Sequence, residues 1–372
     1  MNFIKKIDFP LALTPFLLGV ISVIMINSIT ATGQSSRMVI VQIIAFGAGL
    51  IVMIVAALID PEILSRFTWV FFALCFIIQL SVYIPGIGTD LGSGQRAWVN
   101  LGFTTLQPSE LVKITFILFL ASWLDERRET LFTFKGFLFT ALPALPIIGL
   151  VAFIDMGAGI VTFFIFVGMI FAAGLRARLF GELALAFFIA IPIAYRFLKP
   201  YQKNRFEAWL HPSNTELAEA YHALQSKTAI GSGGLFGKGL GNGTIKESRF
   251  LPVQESDFIY SVICEELGFV GGMAVIALYA VFLHRIWRTI TRTHEVFDAL
   301  VCIGFLAMFG FQIFENIGMT MGVMPITGIT LPFLSAGGTS VMANMIGVGL
   351  ILGISIRTKT KTYKHISTEP AM

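Results

Sequence analysis

The stretch Phe250–Gly272, FLPVQESDFIYSVICEELGFVGG, gathers acidic residues where a polar loop meets an apolar helix. Asp257 stands at the junction, Glu255 precedes it, and Glu265 and Glu266 follow about two helical turns later. A carboxylate at such a boundary can act as a general base toward a substrate hydroxyl. It can equally cap the helix and complement its dipole. Both interpretations stay open from these residues alone.

A helix that began at Asp257 would place Asp257, Ser261 and Glu265 on one face, because residues four apart lie above one another. In that case these three side chains would form one polar stripe at the start of an apolar helix.

Composition identifies the class of protein. Of the 372 residues, 56% are hydrophobic and 13% are charged, which predicts an all-α integral membrane protein rather than a soluble domain. The formal net charge of +4 is small and dispersed, so we expect no nucleic acid partner. The three cysteines, Cys75, Cys264 and Cys302, lie in or beside apolar runs and are predicted to be buried thiols.

Apolar runs of span length organise the chain into a single polytopic membrane domain, residues 1–372. About ten transmembrane helices are predicted, near 10–29, 38–59, 66–84, 108–124, 137–154, 157–175, 180–198, 259–283, 299–320 and 339–356. An even number of spans places both termini on the same side of the membrane.

Basic residues indicate the orientation, because short cytoplasmic connections are rich in Lys and Arg. The opposite short connections hold only Arg37 and Arg96. The basic set is Lys5, Lys6, Arg66, Arg127, Arg128, Lys135, Arg176, Arg178, Arg285, Arg288, Arg292, Arg357, Lys359, Lys361 and Lys364. We therefore expect cytoplasmic termini, a cytoplasmic tail at 357–372 and a long extracytoplasmic loop at 199–258, so that Asp257 faces outward.

The outer segment 89–110 carries Arg96 and leads into a helix that contains Glu110 and Lys113. Three residues apart, Glu110 and Lys113 can pair. Charges inside a span are costly and mark function by default, although a structural ion pair is the alternative.

The 199–258 loop contains two further patterns. Ser213 and Glu216 have the spacing of a capping box and predict a short amphipathic helix with Leu217, Tyr221 and Leu224 on one face.

The glycine-rich run 231–243, GSGGLFGKGLGNG, lacks the spacing of a phosphate-binding loop, since Ser232 and Gly239 stand where that motif needs Gly and Ser or Thr. It either approaches a ligand closely or is a flexible loop.

The segment 321–340 holds Pro325, Pro332 and a Gly-Gly-Thr-Ser run, which predict irregular or re-entrant backbone lining a cavity. Asp155 lies at another outer turn, where a cap is the favoured role. Together the polar outer elements would frame a cavity for a substrate with a polar head and a lipid tail.

These residues resemble the RodA/FtsW/SpoVE family of peptidoglycan glycosyltransferases, most closely the RodA branch. The matching pieces are GSGQRAWVNLG (92–102), LQPSELVKI (106–114), DMGAG (155–159), QSKTAIGSGGLFGKGLGNGT (225–244), the Asp257 stretch and NIGMTMGVMPITGITLPFLSAGGTS (316–340). The departures are Pro252 to Phe258, PVQESDF, where the family usually has Pro-Glu-x-His-Thr-Asp-Phe, and Phe153-Ile154, where Gln-Pro is common.

The resemblance implies that Asp257 is the catalytic carboxylate in the polymerisation of lipid II at the outer face of the bacterial cytoplasmic (inner) membrane. The implied substrate-binding residues are Arg96, Glu110, Lys113, Asp155, Ser335, Gly337 and Gly338. Charge on the leaving pyrophosphate would be stabilised by Arg96, whose fork suits phosphate oxygens and which is favoured, by Lys113, or by a divalent cation, Mg²⁺ or Mn²⁺, held by Asp257 and Glu110. The implied partners are a class B penicillin-binding protein and other membrane proteins of the elongation machinery. A lipid II flippase and a non-catalytic scaffold are the alternative functions.

Overall fold

The computed structural model is a bundle of helices with irregular segments at one end. It describes residues 7–30, 37–90, 96–100, 102, 105–127, 131, 133–175, 198–214, 216–243 and 254–368, with Arg178, Gly181, Glu182, Leu185, Ile189, Tyr195 and Arg196. The predicted seventh span, 180–198, falls mostly outside these residues, so the count of ten spans stays a prediction.

Five of the described helices are long and apolar enough to cross a membrane. They are α1 (Phe9–Thr30), α2 (Arg37–Leu58), α11 (Ile259–Ile290), α12 (Val296–Thr320) and α13 (Gly338–Thr368). Each lies on a predicted span, and the all-α membrane architecture is confirmed.

Shorter helices complete the bundle. They are α3 (Pro61–Ser65), α4 (Thr68–Leu80, followed by the 3-10 turn Ser81–Tyr83), α5 (Pro108–Arg127), α6 (Phe134–Ala141), α7 (Ala144–Ile154) and α8 (Met156–Ala172). The helices α6 and α7 meet at 47° and together form a sixth candidate span. Pro143 precedes α7, and a proline cannot donate the hydrogen bond that a continuous helix needs there.

Two more helices lie in the long outer loop, α9 (Pro200–Leu210) and α10 (Ala218–Ser232). The helix predicted after Ser213 is present, but the capping box is wrong, because α10 starts after Leu217 without a side-chain cap. Its buried residues are the small side chains of Ala220, Ser226 and Ala229, whereas Leu224 is exposed. Close packing on the spans therefore replaces the predicted apolar face.

A small antiparallel sheet covers part of the same end. Its strands are β1 (Gly88–Thr89), β2 (Trp98–Asn100) and β3 (Thr105–Leu106), in the order β1-β2-β3. Thr89 pairs with Trp98, and Asn100 pairs with Thr105. This pairing leads the chain directly into α5.

Helix α11 is broken rather than straight. Gly268 has φ 68° and ψ −166°, a conformation outside the helical region that a side chain disfavours. A Cβ on Gly272 would lie 2.7 Å from Cys264 Sγ and 3.0 Å from Tyr260 Oη. Residues eight and twelve apart in a straight helix are about 12 and 18 Å apart along the axis. The segment before Gly268 therefore folds back against the segment after it.

The glycine-rich loop fills this break. The N–H groups of Lys238 and Gly239 donate to the carbonyls of Glu265 and Glu266, at 3.0 Å each. A Cβ on Gly237 would collide with the carbonyl of Glu266. The loop thus needs glycine for a close backbone contact with α11.

An aromatic cluster anchors the irregular segment, residues 321–337. Phe333, at φ 65°, packs with ring centroids 5.5 Å from Phe282 and 5.7 Å from Phe309. Tyr279 Oη donates to the carbonyl of Pro332 at 2.5 Å. The predicted irregular backbone is confirmed, and α11 and α12 hold it in place. The three cysteines are free and buried, as predicted.

Candidate active site

A cavity of about 700 Å³ contains Asp257 at the end of the bundle where α2 and α13 begin. Residues of α2, β2, the α7–α8 junction, α9 and the irregular segment line it. A second cavity, of about 680 Å³, lies at the opposite end and is lined by Asp60, Asp125 and the connection between α11 and α12. None of the predicted site residues lines this second cavity, so the first cavity is the candidate site.

Asp257 lies in the turn before α11 and does not cap it. The helix begins at Ile259, and its N-cap is Phe258, without a side-chain hydrogen bond. The condition for a polar stripe through Asp257 is therefore not met, since the helix begins after it. Ser261 Oγ lies 2.6 Å from Ser226 Oγ, and Glu265 binds Lys238. Asp257 is therefore separated from both and turns its carboxylate toward the cavity.

Hydrogen bonds to three of its backbone carbonyls hold the turn that carries Asp257 in place. Asn316 Nδ2 donates to the carbonyl of Asp257 at 3.1 Å. Ser335 Oγ donates to that of Ser256 at 2.5 Å, and the N–H of Ala336 donates to that of Glu255 at 2.8 Å. The catalytic candidate therefore depends on α12 and on the irregular segment for its position.

The surroundings of Asp257 favour a proton acceptor. Burial raises the pKa of its carboxyl above the ordinary value, and the nearby Glu255 and Asp155 raise it further. The hydrogen bond from Ser256 Oγ, at 2.8 Å, and the charge of Arg205 lower the pKa and oppose these effects. A carboxylate whose pKa is moved toward neutral pH is a better general base than an ordinary aspartate.

Arg205 is the functional candidate that the sequence analysis missed. On α9, Arg205 Nη1 donates to the carbonyl of Thr327 at 2.8 Å, and Trp209 Nε1 donates to that of Val323 at 3.1 Å. A Cβ on Gly328 (φ 75°) would lie 3.3 Å from Asp257 Oδ2 and 3.9 Å from Arg205 Nη2. Carboxylate and guanidinium therefore meet across Gly328.

The structure places Arg96 differently from its predicted role. Arg96 is exposed and does not line the cavity, whereas its neighbours Ala97 and Trp98 do. The arginines that line the cavity are Arg37, at the start of α2, and Arg205. The positive charge predicted for the site comes from these two positions among the described residues.

Asp155 caps a helix and also lies in the cavity wall. It caps α8 through Oδ1, which accepts from the N–H of Ala158 at 3.1 Å. Its Oδ2 accepts from Gln107 Nε2 at 2.7 Å and from Ser109 Oγ at 3.2 Å. Because Asp155 and Gln107 also line the cavity, this capped turn forms part of its wall.

Glu110 and Lys113 form the predicted ion pair, with Lys113 Nζ 2.9 Å from Glu110 Oε1. Both side chains are buried and line a separate small cavity of about 20 Å³, which also contacts Asp155 and Gln312. Glu110 and Asp257 thus line different cavities, and Lys113 already occupies one oxygen of Glu110. Within the described residues no group of three or more His, Cys, Asp or Glu side chains is arranged to hold a metal ion. The predicted cation shared by Asp257 and Glu110 does not fit this donor set.

Within the stretch Ser335–Gly338, one residue supports the turn of Asp257 and two glycines line the cavity. Ser335 is buried, accepts from the N–H of Leu331 at 2.7 Å and donates to the turn of Asp257, so it supports the site from behind. Gly337 and Gly338 line the cavity where α13 begins. The N–H of Gly337 donates to Gln42 Oε1 at 3.3 Å, which links this wall to α2.

Comparison with known proteins gives the family. Residues 7–360 match the family model of FtsW, RodA and SpoVE proteins, which is described as "Cell cycle protein". The chain belongs to this family. The resemblance predicted from the motifs is confirmed.

Members of the family from several bacteria align with most of the chain. Stage V sporulation protein E of Bacillus subtilis is 34% identical over 84% of this chain and 86% of its own length. The peptidoglycan glycosyltransferase MrdB of Escherichia coli K12 is 32% identical over 89% of each chain. A probable peptidoglycan glycosyltransferase FtsW of Nitrosococcus halophilus is 38% identical over 76% of this chain and 73% of its own. Assignment to one branch stays a prediction.

Solved structures share the fold of the family. A chain from a study of "polymerization and crosslinking by a peptidoglycan synthase complex" superposes with a TM-score of 0.80 at 28% identity, covering 95% of this chain and 98% of its own. The rod shape determining protein RodA of Thermus thermophilus superposes with a TM-score of 0.68 at 27% identity, covering 94% and 96%. The chain is therefore a multi-pass membrane protein of the RodA fold.

Proposed function

We propose that this protein is a peptidoglycan glycosyltransferase that polymerises lipid II into glycan strands for cell elongation and shape. The observation that carries the proposal is the pairing of one cavity-facing carboxylate, Asp257, with a guanidinium, Arg205, across Gly328. The names of the family's relatives, several of which are peptidoglycan glycosyltransferases, agree with it.

One carboxylate is enough for this reaction. Hydrolysis of an ordinary glycosidic bond uses two carboxyl groups, because the leaving alkoxide must be protonated. Undecaprenyl pyrophosphate leaves as a stable anion and needs no proton. Asp257 accepts the proton of the acceptor sugar's 4-hydroxyl while the oxygen attacks the anomeric carbon of the donor. The bond to pyrophosphate breaks, and the configuration inverts.

The cavity arginines bind the leaving group in this proposal. The fork of a guanidinium matches two phosphate oxygens, and its charge stabilises the pyrophosphate as the bond breaks. Arg205 is the nearer candidate because it faces Asp257, and Arg37 lies on the α2 wall. The side chains of Met38 and Val41 on that wall are apolar and about two-fifths exposed, at 40% and 42%. They provide an exit for the lipid tail.

The setting follows from orientation and from the family. We place the protein in the bacterial cytoplasmic membrane with both termini in the cytoplasm, because basic residues concentrate in the connections on that side. The cavity then opens outside, where lipid II is used. A class B penicillin-binding protein is the proposed partner, and the synthase complex in which a similar chain was solved supports a crosslinking companion.

The test is purified protein, with its transpeptidase partner, incubated with lipid II and assayed for glycan polymer on a gel. We expect polymer from the wild type and none from Asp257→Ala. Glu207→Ala, which removes an exposed acid on α9, is the matched control and should retain polymer. Absence of polymer from the wild type, or equal polymer from Asp257→Ala, contradicts the proposal.

A parallel assay separates the alternatives. The movement of labelled lipid II across the membrane of proteoliposomes that contain the wild-type protein is measured. Translocation without polymer would favour the flippase, whereas neither activity would favour the scaffold.

A further inference from the structure

Two consecutive residues of α12, Glu315 and Asn316, reach the site from behind. Both are buried, with 1% and 0% of their surface exposed. Thr327 Oγ1 donates to Glu315 Oε1 at 2.5 Å. Asn316 Nδ2 donates to the carbonyl of Ile329 at 2.8 Å and to that of Asp257 at 3.1 Å. Neither residue lines the cavity, so neither contacts a substrate there.

These bonds hold a short turn, Thr327–Ile329, at both of its ends. The turn lies between the two charged groups of the site. The carbonyl of Thr327 accepts from Arg205, and Gly328 separates the Asp257 carboxylate from the guanidinium. The position of the turn therefore sets the spacing between the base and the cation.

The residue types agree with a positioning role. A carboxyl group inside a membrane helix is costly and needs a compensating purpose. A methionine would fill a similar volume without that cost, but its thioether is only a weak acceptor for the Thr327 hydroxyl. Asn316 likewise satisfies two carbonyls that a leucine would leave unpaired in the protein interior.

We propose that Glu315 and Asn316 form a clamp on the 327–329 turn that sets the distance between the Asp257 carboxylate and the Arg205 guanidinium. The inference rests on the proposed function, because it assigns these residues to the positioning of the catalytic base. Glu315 acts through Thr327, and Asn316 acts directly on the backbone of Asp257.

Four variants isolate the Glu315–Thr327 bond. Glu315→Met and Thr327→Val remove it, whereas Glu315→Gln and Thr327→Ser keep an acceptor and a donor. We expect the first two to lower kcat about 10- to 100-fold, since small misplacements of catalytic groups cost rates of this order. The second two should remain near the wild type. The double variant Glu315→Met/Thr327→Val should lose no more than either single variant, because both remove the same bond.

The pH profile distinguishes positioning from loss of folded protein. When the turn loosens, Arg205 no longer lowers the pKa of Asp257 as strongly, so that pKa rises. The acid limb of the pH profile of kcat should move to higher pH in Glu315→Met but not in Glu315→Gln. Fewer folded molecules would lower the rate equally at every pH. Phe314→Leu, a largely exposed neighbour on α12, is the control and should leave the profile unchanged.

A second readout needs no turnover. A hydrophobic carbodiimide modifies protonated carboxyl groups, and mass spectrometry of the Asp257 peptide gives the pH of half-labelling. This pH should rise in Glu315→Met relative to the wild type. If the wild type makes polymer but Glu315→Met keeps the wild-type pH profile and labelling curve, the clamp is overturned and the glycosyltransferase stands. If the wild type makes no polymer, the proposed function fails and the labelling curve alone decides the clamp.

Discussion

Residues 257–266 precede the break in α11 and have acids at both ends, Asp257 at the near end and Glu265 and Glu266 at the far end. The two ends differ in the partners of their carboxylates. At the far end, Glu265 Oε1 accepts from Lys238 Nζ at 2.7 Å. Glu266 accepts from Ser28 Oγ at 2.7 Å and from the N–H of Gly241 at 3.2 Å. At the near end, the carboxylate of Asp257 accepts, among the described residues, from Ser256 alone and faces a cavity.

The comparison shows how residues of one type take different roles. Glu265 and Glu266 are 1% and 0% exposed, and their hydrogen bonds fix the glycine-rich loop against the broken helix. Their carboxylates are occupied, so they stabilise structure. Among the residues that the structure describes, Asp257 Oδ2 accepts no hydrogen bond, and it faces Gly328 and the guanidinium beyond it. A carboxylate with an uncommitted oxygen in a cavity can accept a substrate's proton.

Removal of Lys238, the cation that pairs with Glu265 at the far end, should produce the largest effect on stability. Lys238→Met removes the ion pair with the buried Glu265, and breaking such a pair costs about 3 kcal/mol. Lys238→Arg should restore most of this. Thermal unfolding of the detergent-solubilised variants measures the loss of stability. Turnover per folded molecule should persist below the unfolding temperature. A variant of normal stability without turnover would mean that this end takes part in the reaction.

Removal of the Arg205 guanidinium, the cation beside Asp257 at the near end, should instead lower the rate of polymerisation. Arg205→Met is expected to lower kcat/KM about 100-fold, the typical cost of one lost group that stabilises developing charge. Its unfolding should change little. Arg96→Met is the matched control, because Arg96 is exposed and lies outside the cavity lining. A greater loss in Arg96→Met than in Arg205→Met would reverse the assignment of the pyrophosphate site.

The smallest expected effect is a shift in pH dependence. Glu255 raises the pKa of Asp257, so Glu255→Gln should lower that pKa. Asp257 is active as a base only above its pKa, and activity is lost as pH falls through it. The acid limb of kcat/KM in Glu255→Gln should therefore move to lower pH. A shift to higher pH, or none, would show that Glu255 does not act on Asp257 in this way.

The sequence predicted the elements whose signals are local. Spans follow from long apolar runs, the irregular 321–337 segment follows from its Pro and Gly content, and Asp257 stands at a marked change from polar to apolar residues. Asp155 followed from its position at a turn, where a side-chain cap is favourable.

The contacts between distant segments could not be predicted in the same way. Arg205 reaches Asp257 only because α9 packs on the irregular segment, 122 residues away in sequence at Thr327. A signal existed in Pro200 at the start of α9 and in Arg205 and Trp209 one turn apart, which identify a helix with one polar anchoring face. Arg96 was favoured because its fork suits phosphate oxygens, but the structure leaves it exposed and places its neighbours Ala97 and Trp98 in the cavity lining.

The most direct test replaces one acid by its amide at each end of the segment and assays both variants with lipid II. Asp257→Asn should abolish detectable polymer while the unfolding temperature stays at the wild-type value. Glu266→Gln should lower the unfolding temperature, because its carboxylate accepts bonds from Ser28 and Gly241, and should still give polymer while folded. Wild-type polymer from Asp257→Asn would contradict the account.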